Sequence, residues 1–236
     1  MSEREYDVIV WGASGYTGKL VVEYLVERYG VEGPLRWAIA GRNRDKLEAV
    51  RAACLADAQR DSLPLLLADS ADAASLASLV KRTRVICTTV GPYAKYGTPL
   101  VAACVEAGTH YCDLTGEVQW MARVIPTYQK AAEASGARIV HTCGFDSVPF
   151  DMGNWYLQQV MFERHGVYAT HVKARVGRNR GAASGGTIAS ILNMMEEARY
   201  DPSVRKAVAN PYALYPAGIR PGRDGPDQRG PRFDPD

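Results

Sequence analysis

A chain of 236 residues with 47% hydrophobic and 23% charged side chains has the make-up of an ordinary globular protein and the length to bury a substantial core. Its formal net charge of +2 gives no electrostatic case for nucleic acid or an anionic membrane surface as a partner, and no apolar run approaches the ~20 residues of a membrane span. Five scattered cysteines without a CxxC pair, and four histidines without metal-ligand spacing, predict reduced thiols, a cytoplasmic setting and no metal site.

Residues 2–7 are polar and lead straight into the apolar run Val8–Trp11, so no signal peptide is expected and the run reads as a buried parallel strand. Gly12, Gly15 and Gly18 follow at once. Lys19 to Tyr29 then carries Leu20, Val21, Tyr24 and Leu25 at helical spacing, with Gly30 as a stop. A strand, a glycine turn and a helix form the context that a dinucleotide fingerprint requires. The first glycine permits a tight turn, the second lets backbone approach a pyrophosphate, and the third allows close helix packing. The phosphates then meet the free N–H groups of a helix N-terminus. The spacing is G-x-x-G-x-x-G rather than the commoner G-x-G-x-x-G, and an ordinary tight strand-to-helix turn is the plainer alternative.

Leu35 to Ala40 is the second expected strand, ending in Gly41-Arg42-Asn43-Arg44. An acid at this point would bind the adenosine ribose and select NAD, whereas an arginine accommodates a 2′-phosphate. Arg42 and Arg44, with no acid before Asp45, read as NADP preference; a solvated basic loop is the competing reading. A helix over Asp45–Ala56 and a third strand over Leu63–Ala68 follow. Asp69 then either contacts the adenine, caps a helix over 71–80, or does both. A fourth strand, Arg84–Val90, runs into Gly91-Pro92-Tyr93-Ala94-Lys95-Tyr96-Gly97, with a helix from Thr98 to Ala107. The remaining elements of this half are a strand over His110–Leu114, a helix over Val118–Ser135 broken or started at Pro126, and a strand over Arg138–Thr142.

Alternating strands and helices over residues 7–142 predict an α/β fold, a mostly parallel sheet with helices on both faces. The loops at Gly12, Gly41, Asp69, Gly91 and Cys143 all leave strand C-termini and should converge on one crevice. Beyond it, a helix over 152–165, an alternating strand over Thr170–Gly177, a glycine-rich loop over 178–187 and a helix over Ile188–Tyr200 begin an α+β second domain. The stretch from Pro216 to Asp236 has the composition of a flexible tail. The expected division is 1–150, 151–215 and 216–236. A lone strand cannot close a sheet, so the chain is expected to stop inside its second domain.

Several side chains are candidates for chemistry. Tyr93, Lys95, Tyr96, Asp146 and Ser147 lie on loops expected to rim the crevice. Tyr93 or Tyr96 offers a proton donor whose pKa Lys95 would lower; alternatively Pro92 and Tyr93 shape a loop and stack on a cofactor. Asp146 and Ser147 either meet a ligand or cap a helix starting near Pro149. Glu117 is either a functional carboxylate or a helix-terminal acid stabilised by the dipole. Cys143, at a strand end, offers a reactive-thiol reading, against which stands the lack of an adjacent histidine base. The Tyr-x-x-x-Lys pair of short-chain dehydrogenases is absent from the chain.

Taken together, Gly12–Gly18, Gly41–Asn43, Val90–Gly97, Thr109–Glu117, Cys143–Pro149 and Ser184–Thr187 resemble the saccharopine dehydrogenase-like oxidoreductases, in particular the bacterial branch that includes the mycobacterial trans-acting enoyl reductases. The resemblance covers residues 6–215 and implies a Rossmann-type, doubly wound parallel sheet that binds NADP(H). By position it implies a cofactor loop of Gly12, Ala13, Ser14, Gly15, Tyr16, Thr17 and Gly18, and a 2′-phosphate contact at Arg42 beside Asn43. It implies an adenine-side residue at Asp69 and a nicotinamide-side loop of Thr89, Val90, Gly91, Pro92 and Tyr93. It carries over no catalytic acid or base. The implied reaction is hydride reduction of a carbon–carbon double bond in a small-molecule or carrier-bound polyketide or fatty chain. A polyketide synthase is the implied protein partner, and the lipid pathway implies a link to a membrane; a homo-oligomer is also expected. The alternatives are reduction of an amino acid adduct, as in saccharopine dehydrogenases, and a non-catalytic NADP-binding sensor or scaffold.

Overall fold

The computed structural model describes residues 4–178 and 184–216; the expected tail beyond 216 and residues 179–183 of the glycine-rich loop lie outside these residues. Six strands, β1 (Tyr6–Trp11), β2 (Trp37–Gly41), β3 (Leu65–Leu67), β4 (Thr83–Thr88), β5 (His110–Cys112) and β6 (Ile139–Val140), form one parallel sheet in the order β3-β2-β1-β4-β5-β6. Val10 pairs with Ile39 on one side and Cys87 on the other, so β1 is central. The strand order reverses between β1 and β4, and a crevice opens at the carboxyl ends on either side of that point.

Alternation along the strands divides the core. Val10, Trp37 and Ile39 face helices α1 (Tyr16–Tyr29) and α2 (Arg44–Cys54), meeting Val22, Leu47 and Val50. Ile9, Trp11, Ala38, Ile86 and Tyr111 face the other way, toward α3 (Ala73–Lys81), α4 (Tyr93–Ala107) and α5 (Val118–Ser135). At the α4–α5 contact, a Cβ on Gly97 would stand 2.7 Å from the Trp120 ring. The Trp120 indole donates to Thr98 Oγ1 at 2.9 Å.

Helices α6 (Val148–His165) and α7 (Gly185–Tyr200) begin four and three residues before the expected 152 and Ile188, and two further starts differ in their capping. Asp72, not Asp69, caps α3, its side chain accepting from the N–H groups of Ala74 and Ser75. Asp69 instead closes a local turn on the N–H of Ala71. Helix α4 begins at Tyr93, five residues before the expected Thr98, and contains Pro99, so Tyr93, Lys95 and Tyr96 are helical rather than loop residues. The early start has a distant cause, the Glu117 carboxylate described below.

The second half is helical in the described residues: α6 (Val148–His165), α7 (Gly185–Tyr200) and α8 (Pro202–Ala209). The expected strand over Thr170–Gly177 pairs with no other strand. It runs beside α6, tied by Gln158, which donates to and accepts from the backbone of Ala169. Period-two alternation makes a strand only where a ladder partner exists, and none of the described residues supplies one. Helix α6 buries no residue and exposes Trp155, Tyr156 and Phe162. Helix α8, not anticipated, starts at Asp201-Pro202, with Asp201 accepting from the Ser203 N–H at 2.8 Å. It packs Val204 into the surface of α5, and Arg123 pairs with Glu197 of α7 at 3.3 Å.

The glycine turn depends on a backbone-to-backbone approach. Gly12 has φ +86°, and a Cβ there would meet Val90 Cγ2 at 2.5 Å. A Cβ on Gly18 would collide with the carbonyl of Gly12, which is rigid backbone. Gly18→Ala is therefore expected to lower unfolding free energy in urea by about 1–3 kcal/mol, the usual range for overpacking; an unchanged midpoint would contradict this packing.

Candidate cofactor and substrate site

The carboxyl ends of β1, β2 and β4 bound a groove of about 330 Å³. Helix α1 points its N-terminus into it. The N-cap there is Gly15, no side chain caps the helix, and its first turn has no acid. Its free N–H groups and dipole therefore favour an anion at this end. Gly41 and Arg42 lie at the far end of the groove with Ser70. The Arg42 guanidinium makes no hydrogen bond or ion pair with another described residue, and no acid stands at the end of β2. An uncapped helix terminus, close-approaching backbone and an open arginine fit a dinucleotide carrying a 2′-phosphate.

Of the residues expected at the cofactor, Gly12, Ser14, Gly15, Tyr16, Thr17, Arg42, Thr89, Val90 and Gly91 line this groove. Ala13 is fully buried beneath the turn, and Gly18 packs on Gly12. The Asn43 side chain caps α2, accepting from the Lys46 N–H at 2.9 Å, and Ser70 rather than Asp69 reaches the groove wall. Thr89 Oγ1 donates to the Gly12 carbonyl at 3.2 Å, which ties the end of β4 to the glycine turn. Pro92 is the N-cap residue of α4.

A second cavity, of about 510 Å³, adjoins the groove and shares Thr17, Thr89, Gly91, Ser184 and Gly186 with it. Its far wall is α7, through Thr187, Ser190, Ile191 and Met194; Leu114, Phe145 and Asp146 close the other sides. The loops after β1, β2, β3, β4 and β6 do converge, with Ser70 rather than Asp69 at the groove and Phe145 and Asp146 rather than Cys143 facing the cavity.

Glu117 lies between these parts. Only 2% of it is exposed. Its Oε1 accepts from the Tyr93 N–H at 2.7 Å and from Ser190 Oγ at 2.7 Å, and its Oε2 accepts from the Ala94 N–H at 2.9 Å. Thus the carboxylate caps α4 rather than α5, the helix it precedes. Buried charge is tolerated where donors surround it. Its own position is set by a relay: the Glu117 N–H donates to Thr115 Oγ1, and the Thr115 N–H to Asp113 Oδ1. Asp113 also accepts from Tyr111 Oη at 2.8 Å and the Thr142 N–H at 3.0 Å, and lies 2.7 Å from His141 Nδ1.

The proposed proton donors have settled environments. Tyr93 is buried, its hydroxyl donates to the Thr88 carbonyl at 3.3 Å, and its ring packs on Trp120 at 5.6 Å. Burial, and then the charge of Asp113, push its pKa well above the usual phenol value, the opposite of activation. Tyr96 is half-exposed at the groove and Lys95 is exposed. Burial also raises the Cys143 thiol, with Cys112 and Asp113 adding to the shift, so it is not an activated nucleophile. Ser147 precedes α6 without a side-chain cap, while Asp146 faces the cavity. Among the described residues no group of three or more His, Cys, Asp or Glu side chains is placed to hold a metal, and no helix is long and apolar enough to cross a membrane.

The parallel sheet, the glycine turn and the arginine at the second strand define a dinucleotide-binding domain of the Rossmann type. Residues 8–140 match the family described as the saccharopine dehydrogenase NADP binding domain, and the chain belongs to that family. It is 43% identical over 238 residues to a Mycobacterium tuberculosis protein provisionally named a trans-acting enoyl reductase, covering 99% of this chain and 56% of that one. It is 39% identical over 213 residues to the trans-acting enoyl reductase of Mycobacterium leprae, covering 90% and 50%. The chain thus spans about half the length of these relatives. Among solved structures, apo saccharopine dehydrogenase from Saccharomyces cerevisiae aligns with a TM-score of 0.48 at 15% identity, covering 68% of this chain and 32% of that one.

Glu117→Gln replaces one acceptor oxygen with a donor facing an N–H. The expected loss is about 1–3 kcal/mol of stability in urea, the cost of an unsatisfied buried group. Unaltered stability would show that α4 needs no carboxylate at its N-terminus.

Proposed function

We propose that this chain holds NADPH for the reduction of a carbon–carbon double bond in an enoyl thioester, presented as a small molecule or on a carrier of a polyketide-type synthase. The observation that carries the reading is the adjoining cavity. It opens from the Thr89–Gly91 end of the cofactor groove and offers apolar surface from Leu114, Phe145, Ile191 and Met194. The similarity to proteins named enoyl reductases agrees with it.

NADPH supplies the hydride. The chain's own part is to orient and to exclude water. The α1 N-terminus holds the phosphates, Arg42 holds the 2′-phosphate, and Thr89 keeps the end of β4 against the glycine turn. Helix α7 closes the acyl side through Thr187, Ser190, Ile191 and Met194. An amino acid dicarboxylate adduct fits less well, because the described cavity wall carries Glu117 and Asp146 and neither Arg nor Lys.

Two measurements test this. NADPH oxidation followed at 340 nm (a property of the cofactor) with a medium-chain enoyl thioester should show turnover, and saturable NADPH binding without turnover by any enoyl substrate would favour the sensor or scaffold reading. Arg42→Ala should weaken NADPH by on the order of 10-fold or more, in keeping with a charge-assisted contact, and leave NADH nearly unchanged; equal losses would remove Arg42 from the 2′-phosphate.

A further inference from the structure

Ser190 is on α7, 73 positions from Glu117 in sequence, yet its hydroxyl donates to Glu117 Oε1 at 2.7 Å. A serine hydroxyl has one proton and two lone pairs. Glu117 already takes backbone donors on both oxygens and acts only as an acceptor there, so the Ser190 proton is committed inward. What Ser190 offers to the cavity it lines is therefore acceptor capacity alone, and no described residue donates to it. Its Oγ lies beside Gly91, 3.4 Å from where a Cβ on that residue would stand. Gly91 lines both the cofactor groove and the cavity.

We infer that Ser190, oriented by Glu117, accepts a hydrogen bond from the carboxamide N–H of the nicotinamide, so that α7 supplies a cofactor contact outside the residues 8–140 that the NADP-binding family covers. This rests on the reading that the dinucleotide lies in the groove with its nicotinamide end at Thr89–Gly91. The chemistry is complementary: a carboxamide presents two N–H donors, and a hydroxyl whose proton is spent cannot repel them. The same arrangement discriminates, since a ring substituent without N–H donors leaves the Ser190 lone pairs unmatched. Helix α7 also forms the acyl side of the cavity, so one helix reads the position of the reduced ring and of the substrate together.

The test uses the full chain and three ligands: NADPH, its 3-acetylpyridine analogue, which keeps the carbonyl and lacks the N–H donors, and 2′,5′-ADP, which lacks the nicotinamide. Ser190→Ala should weaken NADPH about 3- to 10-fold, the worth of one neutral hydrogen bond, leave the acetylpyridine analogue unchanged, and leave 2′,5′-ADP within about twofold. Unchanged 2′,5′-ADP binding also shows that the variant is folded. Ser190→Thr keeps the hydroxyl and should keep the preference for NADPH over the analogue. Equal weakening of NADPH and the analogue, or no weakening of NADPH, would overturn the assignment. If the wild-type chain binds neither NADPH nor 2′,5′-ADP saturably, the cofactor-groove reading fails instead.

Discussion

The Glu117 carboxylate is the constraint on which the rest of the site depends. Buried and holding three hydrogen bonds, it fixes the first turn of α4, and with it the Gly91-Pro92-Tyr93 segment at the groove edge. Through Ser190 it also ties α7 to this segment. A negative group at a helix N-terminus is favoured by free N–H groups and by the dipole. At α1 the equivalent position is left uncapped, with glycine backbone around it. One helix terminus is satisfied from within the protein and the other is left for a ligand, and this contrast separates framework from binding site.

That framework is built outward from the sheet. Asp113, just beyond β5, gathers Tyr111, Thr115, His141 and the Thr142 backbone, so the exits of β5 and β6 are joined before either reaches the cavity. Thr142 has φ +59°, uncommon for a residue other than glycine, and the Asp113 bond to its N–H accompanies that conformation. Thr89 links the exit of β4 to the glycine turn in the same manner. The site is thus a set of strand ends, each tied to a neighbour by a polar side chain a few residues past its last ladder bond.

Much of the first half was legible because its signals are local. The apolar run of β1, its glycines and the amphipathic α1 occupy consecutive residues, and alternation of elements implies a parallel sheet with few alternatives. The arginine at the end of β2 could be read the same way. What escaped was non-local. The start of α4 depends on a carboxylate more than twenty residues downstream, and the expected start at Thr98 lies five residues inside the helix. The dipole reading of Glu117 had the physics but assigned it to the adjacent helix. Ser190 carried no local signal, being a single serine inside a helix. The alternation over 170–177 was real, but a strand needs a partner and none is present among the described residues. Helix α8 did carry a legible start, Asp-Pro at 201–202.

In the proposed arrangement groove and cavity form one site, closed on one side by the family's NADP-binding domain and on the other by α7. Hydrogen-exchange mass spectrometry with and without saturating NADPH tests it most directly, since it reports on backbone protection segment by segment. The account predicts slowed exchange in four separate segments: Gly12–Gly18, Gly41–Ser70, Thr88–Tyr93 and the first two turns of α7. Protection confined to the first three, with exchange in α7 unchanged, would contradict it.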